Sequence, residues 1–261
     1  MPEGVEVRIS VDYIEFLKNK VLFDIQILKD TKITQKCDID ILKNIKLLNV
    51  DAKGKFIFFK FENDIYVEIH FGMSGGFSFK ENKHSIISFN FGDTILYYND
   101  IRRFGHVITH NKEQFAQKYL QIGSDIMKTS NERLDVIADL ILKKPSKEIK
   151  PVLLDQTIVS GIGNIYSIEG LFTSKILPNR KISDLAKDEI LNILINTRDF
   201  MLESYQLKGM SVKTFKLPDE QKAHSASLLR IYGKKTCPCG NELTSEEIGG
   251  RNTVYCNKCQ K

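Results

Sequence analysis

The sequence predicts an α+β protein of two domains: an antiparallel β-sandwich entered through one helix, then a helical part ending in a cysteine-bearing hairpin. Three observations predict it. From about residue 21 to residue 110 apolar side chains recur at every second position, the period of a strand. On both sides of that stretch the apolar period is three to four residues, that of a helix packed on one face. Four of the five cysteines stand at or after position 237.

Val7, Val11, Ile14 and Leu17 are spaced four, three and three apart, with Arg8, Asp12, Glu15 and Lys18 between them, so residues 5–18 read as an amphipathic helix. In the strand region Ile65, Val67 and Ile69 alternate with Tyr66, Glu68 and His70, and Ile87, Phe89 and Phe91 alternate with Ser88 and Asn90. Turn signals fall at Asn63-Asp64, Glu81-Asn82-Lys83 and Gly92-Asp93, dividing the region into about seven or eight short strands. Residues 111–130 are polar and read as the domain junction. Beyond them Leu134, Ile137 and Ile141 mark one helix, ended by Pro145; Pro151 opens a short one; Ile190, Ile193, Leu194 and Met201 mark a longer one after Ser183-Asp184.

A chain of 261 residues can hold two modest domains and a sizeable core. Hydrophobic content of 42% and charged content of 27% are those of a soluble globular protein. No apolar run nears the roughly 18 residues of a membrane span and no signal-peptide pattern opens the chain, so the expected setting is the cytoplasm, without a membrane partner. Crowded cysteines in that reducing setting read as metal ligands rather than disulfides. Net charge is only +5, yet from Tyr205 to Lys261 there are 10 Lys and Arg against 5 Asp and Glu. The positive excess therefore gathers beside the cysteines, which suits a polyanionic partner and equally a solvated basic face.

Three constellations carry chemistry. The first is Met1-Pro2-Glu3-Gly4-Val5-Glu6. Loss of Met1 would bare a secondary amine at Pro2 with an ordinary pKa near 8, able to form a Schiff base, with Glu3 and Glu6 close by as proton carriers. Taken alone, these residues read as an ordinary helix start with acids suited to its dipole. The second is the run from Lys150 to Tyr166, in which Gly161 and Gly163 permit a tight turn and Asn164 begins a helix; such a turn can bind phosphate, or be a plain helical hairpin. The third is Cys237-Pro238-Cys239 and Cys256-Asn257-Lys258-Cys259. Two close pairs around a hairpin-length spacer indicate one structural, tetrahedral Zn2+. Inside the spacer Gly249-Gly250 puts Arg251 at a hairpin tip, where its guanidinium can grip phosphate.

Taken in register, Pro2-Glu3-Gly4, Gly54-Lys55, Gly72-Met73-Ser74-Gly75, Asp100-Ile101-Arg102-Arg103-Phe104-Gly105, the run from Leu154 to Tyr166 and the cysteine tail resemble the formamidopyrimidine-DNA glycosylase and endonuclease VIII family of base-excision repair enzymes. The resemblance spans nearly the whole chain. It implies an N-terminal catalytic β-sandwich (residues 1–115), a helix-two-turns-helix module (116–205), and a base-covering loop with a C-terminal zinc finger (206–261). It further implies a monomer acting on damaged double-stranded DNA, cytoplasmic and nucleoid-associated.

Carried over residue by residue, the resemblance makes Pro2 the nucleophile that attacks C1′ of the damaged nucleotide, with Glu3 as the acid and Glu6 in the base pocket. Lys55 matches a lysine that meets DNA near the abasic sugar and serves as a catalytic proton donor. Met73, Arg102 and Phe104 match side chains that fill the gap left by an extruded base, which offsets the few kcal/mol that extrusion costs. His84, placed on a strand, matches a DNA-contacting histidine. Lys150, Asn164 and Arg251 match phosphate contacts, with Arg251 also catalytic in the final elimination. The segment 209–224, with Lys213, Lys216 and Pro218, matches the loop over the base.

Three positions depart from the family: Val5 and Ile101 stand where proline is usual, and the first cysteine pair is C-x-C rather than C-x-x-C, which strains a zinc knuckle. The expected activity is glycosylase plus AP lyase by β- and δ-elimination on 8-oxoguanine and formamidopyrimidines. Endonuclease VIII-type preference for oxidised pyrimidines is the neighbouring alternative, and a catalytically silent damage-binding protein the more distant one.

Overall fold

The computed structural model describes residues 1–210, 218 and 225–261. The described chain forms two compact units: Met1–Gln121 with the described residues at 208–210 and 218, and Ile122–Leu207 with Ser225–Lys261.

The first unit is a sandwich of two antiparallel sheets. Its nine strands, one or two more than the alternation suggests, are β1 (Val21–Leu22), β2 (Asp24–Ile27), β3 (Ile45–Lys53), β4 (Phe56–Phe61), β5 (Tyr66–His70), β6 (Gly75–Ser78), β7 (Ser85–Asn90), β8 (Ile95–Asp100) and β9 (His106–His110). One sheet has the order β1-β3-β4-β5-β9 and the other β2-β7-β8-β6. Their inner faces bury one core, in which the Phe59 ring of β4 lies 6.1 Å from Phe77 of β6 and 5.8 Å from Phe89 of β7. A fully buried side chain of that size contributes about 2–3 kcal/mol. Helix α1 (Gly4–Ile14) lays Val7, Val11 and Ile14 into the same core. Its outer face is held by Arg8, which bonds Asp12 and reaches Asp51 on β3 at 2.9 Å.

The polar stretch read as a junction contains helix α2 (Lys112–Gln121). Phe115 stacks on Tyr66 at 4.0 Å and meets Phe58 edge-on, while Tyr119 packs against Phe58 and its carbonyl accepts from Lys53 Nζ at 2.8 Å. Two aromatics one turn apart thus fasten α2 to the outer face of the five-stranded sheet, and the first unit ends at Gln121 rather than at residue 115.

The second unit holds α3 (Asn131–Leu142), α4 (Ile149–Leu153), α5 (Asn164–Thr173) and α6 (Lys187–Gln206), with a parallel pair β10 (Ser124–Asp125) and β11 (Val159–Ser160) and a hairpin β12 (Thr244–Ile248) and β13 (Arg251–Tyr255). Ser130 caps α3, and Leu134, Ile137 and Ile141 are fully buried. Helices α5 and α6 share a buried polar contact, Tyr166 to Ser204 at 2.9 Å, beside the Tyr166–Phe200 ring pair. The cysteine hairpin groups with these helices, through Ile168, Ile231, Cys237, Leu243 and Cys256; residues 206–261 therefore divide between the two units. No described helix is long and apolar enough to cross a membrane.

Candidate active site and nucleic-acid interface

The chain start is packed inward. Pro2, Glu3 and Glu6 are buried, Glu3 caps α1, and the Glu3 N–H donates to Glu6 Oε2 at 2.8 Å. The other Glu6 oxygen accepts from the Met210 N–H at 2.9 Å, so this carboxylate ties the chain start to the first described residues of the segment expected to cover a base. The rest of that expectation, including Lys213 and Lys216, lies outside the described residues. Lys55 occupies the two-residue turn between β3 and β4 and is only 8% exposed although it sits at a hairpin tip. Burial lowers the pKa of the terminal amine, Glu3 and Glu6 oppose that shift, and Arg102 and Lys55 add to it. The amine is that of Met1, one residue before Pro2, and two carboxylates and two cations are each within electrostatic reach of it.

Two loops of the first unit carry the expected wedge. Met73 is half-buried, whereas Arg102 and Phe104 are exposed, Phe104 by 59%, with the guanidinium 5.0 Å from the Phe104 ring centre. Neither Phe104 nor Met73 belongs to the sandwich core. Asp100, to which the sequence assigns no role, organises both loops. Buried at the end of β8, it accepts from Ser74 Oγ at 2.6 Å, from the Arg102 N–H at 3.1 Å and from the Gly105 N–H at 2.8 Å. Gly72 has φ +57, and a Cβ there would stand 2.5 Å from the Phe104 carbonyl carbon, so the two loops interlock only with glycine at that position. His84 lies in the turn before β7, not on a strand; its carbonyl accepts from the Asp100 N–H at 3.2 Å. The deciding residue there is Asn82, whose side chain accepts from the His84 N–H and keeps the turn out of the ladder.

In the second unit the three expected phosphate contacts come together. Gln156 braces the turn between α4 and α5, donating to the Leu154 and Ile162 carbonyls and accepting from the Gly161 N–H. Asn164 then opens α5. Its side-chain oxygen accepts from Lys150 Nζ at 2.8 Å, and its amide donates to the Asn252 carbonyl at 3.0 Å, next to Arg251. Gly249 and Gly250, both at positive φ, make the two-residue turn that leaves Arg251 exposed. Lys150 differs from its expected role: it has no exposed surface, so in this conformation it orients Asn164 rather than presenting its own charge.

The four cysteine sulfurs all lie within 4.8 Å of one another, with Cys237 to Cys259 at 3.8 Å and Cys239 to Cys256 at 3.7 Å. Four thiolates about 2.3 Å from a tetrahedral ion would be about 3.8 Å apart. The set fits one structural Zn2+, and the C-x-C pair does not prevent it, because the Cys237 N–H donates to the Asn241 carbonyl and its own carbonyl accepts from Gly240, closing the knuckle in fewer residues. Held by all four, the ion would keep the Arg251 hairpin folded.

A further cluster was missed. On the outer face of the sheet, buried Glu68 accepts from His106 Nε2 and His110 Nε2, both at 2.8 Å, and from Lys118 Nζ of α2 at 3.2 Å. Burial pushes the Glu68 carboxyl up, but the two imidazoles and the lysine outweigh it and hold the group well below the usual carboxylate range. The signal was present: Glu68 and His70 on one strand, His106 and His110 on another, share a period of two.

A buried, acid-flanked chain start on a β-sandwich, with a Gln156-braced turn between helices and a four-cysteine hairpin in a second unit, is the combination expected of a class of DNA-processing proteins. Known proteins bear this out. Sequence profiles described as formamidopyrimidine-DNA glycosylase N-terminal domain, formamidopyrimidine-DNA glycosylase H2TH domain, and zinc finger found in FPG and IleRS match residues 1–107, 123–216 and 235–261. The chain is 32% identical to the formamidopyrimidine-DNA glycosylase of Wolbachia sp. subsp. Brugia malayi over all of both chains, and 32% identical to that of Mycoplasma mobile, covering 100% of this chain and 99% of the relative. Among solved structures, a complex between a Lactococcus lactis FPG mutant and a Fapy-dG containing DNA matches with TM-score 0.89 and 25% identity over 100% of each chain. The FPG protein of Thermus thermophilus shares the fold at TM-score 0.89 and 24% identity, covering 99% of this chain and 98% of that one. The chain belongs to the formamidopyrimidine-DNA glycosylase family.

Proposed function

We propose that this protein is a base-excision-repair glycosylase and AP lyase that removes oxidised purines, 8-oxoguanine and formamidopyrimidines, from double-stranded DNA through a Schiff base on Pro2. The supporting observation is the buried setting of the chain start, where Glu3, Glu6, Lys55 and Arg102 all act on the terminal amine. With Met1 removed, the Pro2 nitrogen attacks C1′ and the N-glycosidic bond breaks. The departing base takes a proton, for which Glu3 is the nearest carboxyl along the chain. The sugar ring then opens, the C1′–O4′ bond breaking as O4′ takes a proton, and leaves an iminium between Pro2 and C1′. This acidifies C2′; loss of that proton expels the 3′ phosphate, a second elimination expels the 5′ phosphate, and water hydrolyses the Schiff base. Lys55 serves as proton donor in elimination. Glu6, whose two oxygens each accept a backbone N–H, from Glu3 and from Met210, anchors Met210 at the start of the segment expected to cover the base.

Met73, Arg102 and Phe104 fill the vacated stack, with the exposed guanidinium suited to the orphaned partner base. Asn164 and Arg251 hold flanking phosphates, and the positive excess after Tyr205 suits that polyanion. We take the working form to be a monomer in the cytoplasm, at the nucleoid.

The test is borohydride trapping on an abasic duplex, with a cleavage panel of 8-oxoguanine, formamidopyrimidine and thymine glycol duplexes. The wild type, with its N-terminus verified by mass spectrometry, should form a covalent adduct and favour the purine lesions; protein with its terminal nitrogen acetylated should form none while still binding DNA. No adduct from the wild type would identify a silent damage binder, and preference for thymine glycol would move the specificity to oxidised pyrimidines.

A further inference from the structure

From the Glu68 cluster a continuous set of contacts leads to the loop that presents Met73. Strands β5 and β9 pair so that His70 faces His106, and the two rings lie nearly parallel, 5.4 Å apart. His106 is fixed at its other end by the Glu68 carboxylate. His70 Nδ1 accepts the N–H of Gly72 at 3.1 Å, which holds the turn carrying Met73 against the Phe104 backbone. Phe56, next to Lys55, closes the set, 4.9 Å from His70 and 6.3 Å from His106, with the Lys118 ammonium over its ring at 4.3 Å.

We propose that Glu68 is a positioning residue for base extrusion: by fixing His106, it fixes His70 and so the Gly72-Met73 turn that enters the DNA stack. His110 bonds the same carboxylate but has no ring contact with His70, so it anchors the cluster without belonging to this route. The inference rests on the glycosylase reading above, because it assigns a role in one step of that reaction. A displaced wedge should slow only reactions that unstack a base, and a substrate already lacking the base has least to unstack.

The experiment compares, on one preparation each of wild type, Glu68→Gln, His106→Ala and His110→Gln, single-turnover excision of 8-oxoguanine opposite cytosine with borohydride trapping on an abasic duplex. Fluorescence of a 2-aminopurine placed beside the lesion follows extrusion directly. E68Q and H106A should lose about tenfold in excision and in the 2-aminopurine rise while trapping stays within about twofold of wild type, the size of effect that sub-ångström misplacement produces. H110Q should keep the wild-type ratio of the two activities even where its thermal stability falls. An unchanged ratio in E68Q and H106A, or an equal change in H110Q, would overturn the proposal. If E68Q fails to fold, H106A against H110Q decides alone. Failure of the wild type to excise or trap would instead strike the glycosylase reading, so the two failures are distinct.

Discussion

The buried ammonium of Lys150 donates to the side-chain oxygen of Asn164 at 2.8 Å, which leaves the Asn164 amide to bond the Asn252 carbonyl at 3.0 Å and bind the cysteine hairpin to helix α5. This one amide joins two segments 88 positions apart in the chain.

The arrangement separates orientation from charge. Arg251→Ala should weaken duplex binding about uniformly across sequences and reduce the slope of log affinity against log salt by about one, as for any lost phosphate contact. Lys150→Met should weaken binding with little change in slope, and cost about 1–3 kcal/mol of stability because Asn164 loses its buried partner. Salt-titrated binding and denaturant unfolding measure the two; a slope change in K150M equal to that in R251A would show that Lys150 meets phosphate directly.

Asp100 should matter for both stability and excision. Asp100→Asn retains the shape but turns one oxygen into a donor facing backbone N–H groups that now donate to it. The expected loss is about 1.5–3 kcal/mol, the range for hydrogen bonds to a charged group. Ser74→Ala removes one contact and should cost about 1 kcal/mol. Thermal denaturation tests both, and D100N should also slow excision more than S74A does.

Acidification should strike at His70. Burial first, then the charges of His106 and Lys55, lower its pKa from 6.5 to about 4. A histidine whose folded pKa is depressed contributes stability that is full above its unfolded value and is lost as pH falls through the window from about 6.5 to about 4. The loss should approach about 2 kcal/mol, somewhat below the full linkage value because the ring is partly exposed. Glu68, also depressed, loses its contribution only below the ordinary carboxylate range, so the two are separable. Unfolding free energy measured from pH 7 to pH 4 should decline in the wild type and stay flatter in His70→Gln; equal declines would refute the assignment.

Metal analysis should find one zinc per chain. Cys239→Ser should lose it, together with most of the DNA affinity contributed by Arg251, while the far-UV spectrum of the β-sandwich persists. Full affinity in a zinc-free variant would show that side-chain packing alone holds the hairpin.

Much was legible in the residue order because it depends on local rules. The alternation around Val67 and Phe89, the three-and-four spacing of α1 and the paired cysteines each report a period or a loop length that a short segment imposes by itself. Helix α2 was not legible, since its fastening to the sheet rests on Phe115 and Tyr119 in an otherwise polar run, and two aromatics make no amphipathic stripe. The residues proposed as nucleophile and wedge, and the clustered cysteines, were named from the sequence, but not the groups that place them.

Those groups were decided by tertiary structure alone. Asp100 and Glu68 are acids in strands, indistinguishable in the sequence from solvated ones, and each became a buried acceptor because loops and helices distant in the chain brought donors to it. Lys150, expected as a phosphate contact, is buried and donates to Asn164. The physical reason is common to all three: a charged side chain is stable inside only where several partners converge, and that convergence belongs to the packed chain and not to any segment of it.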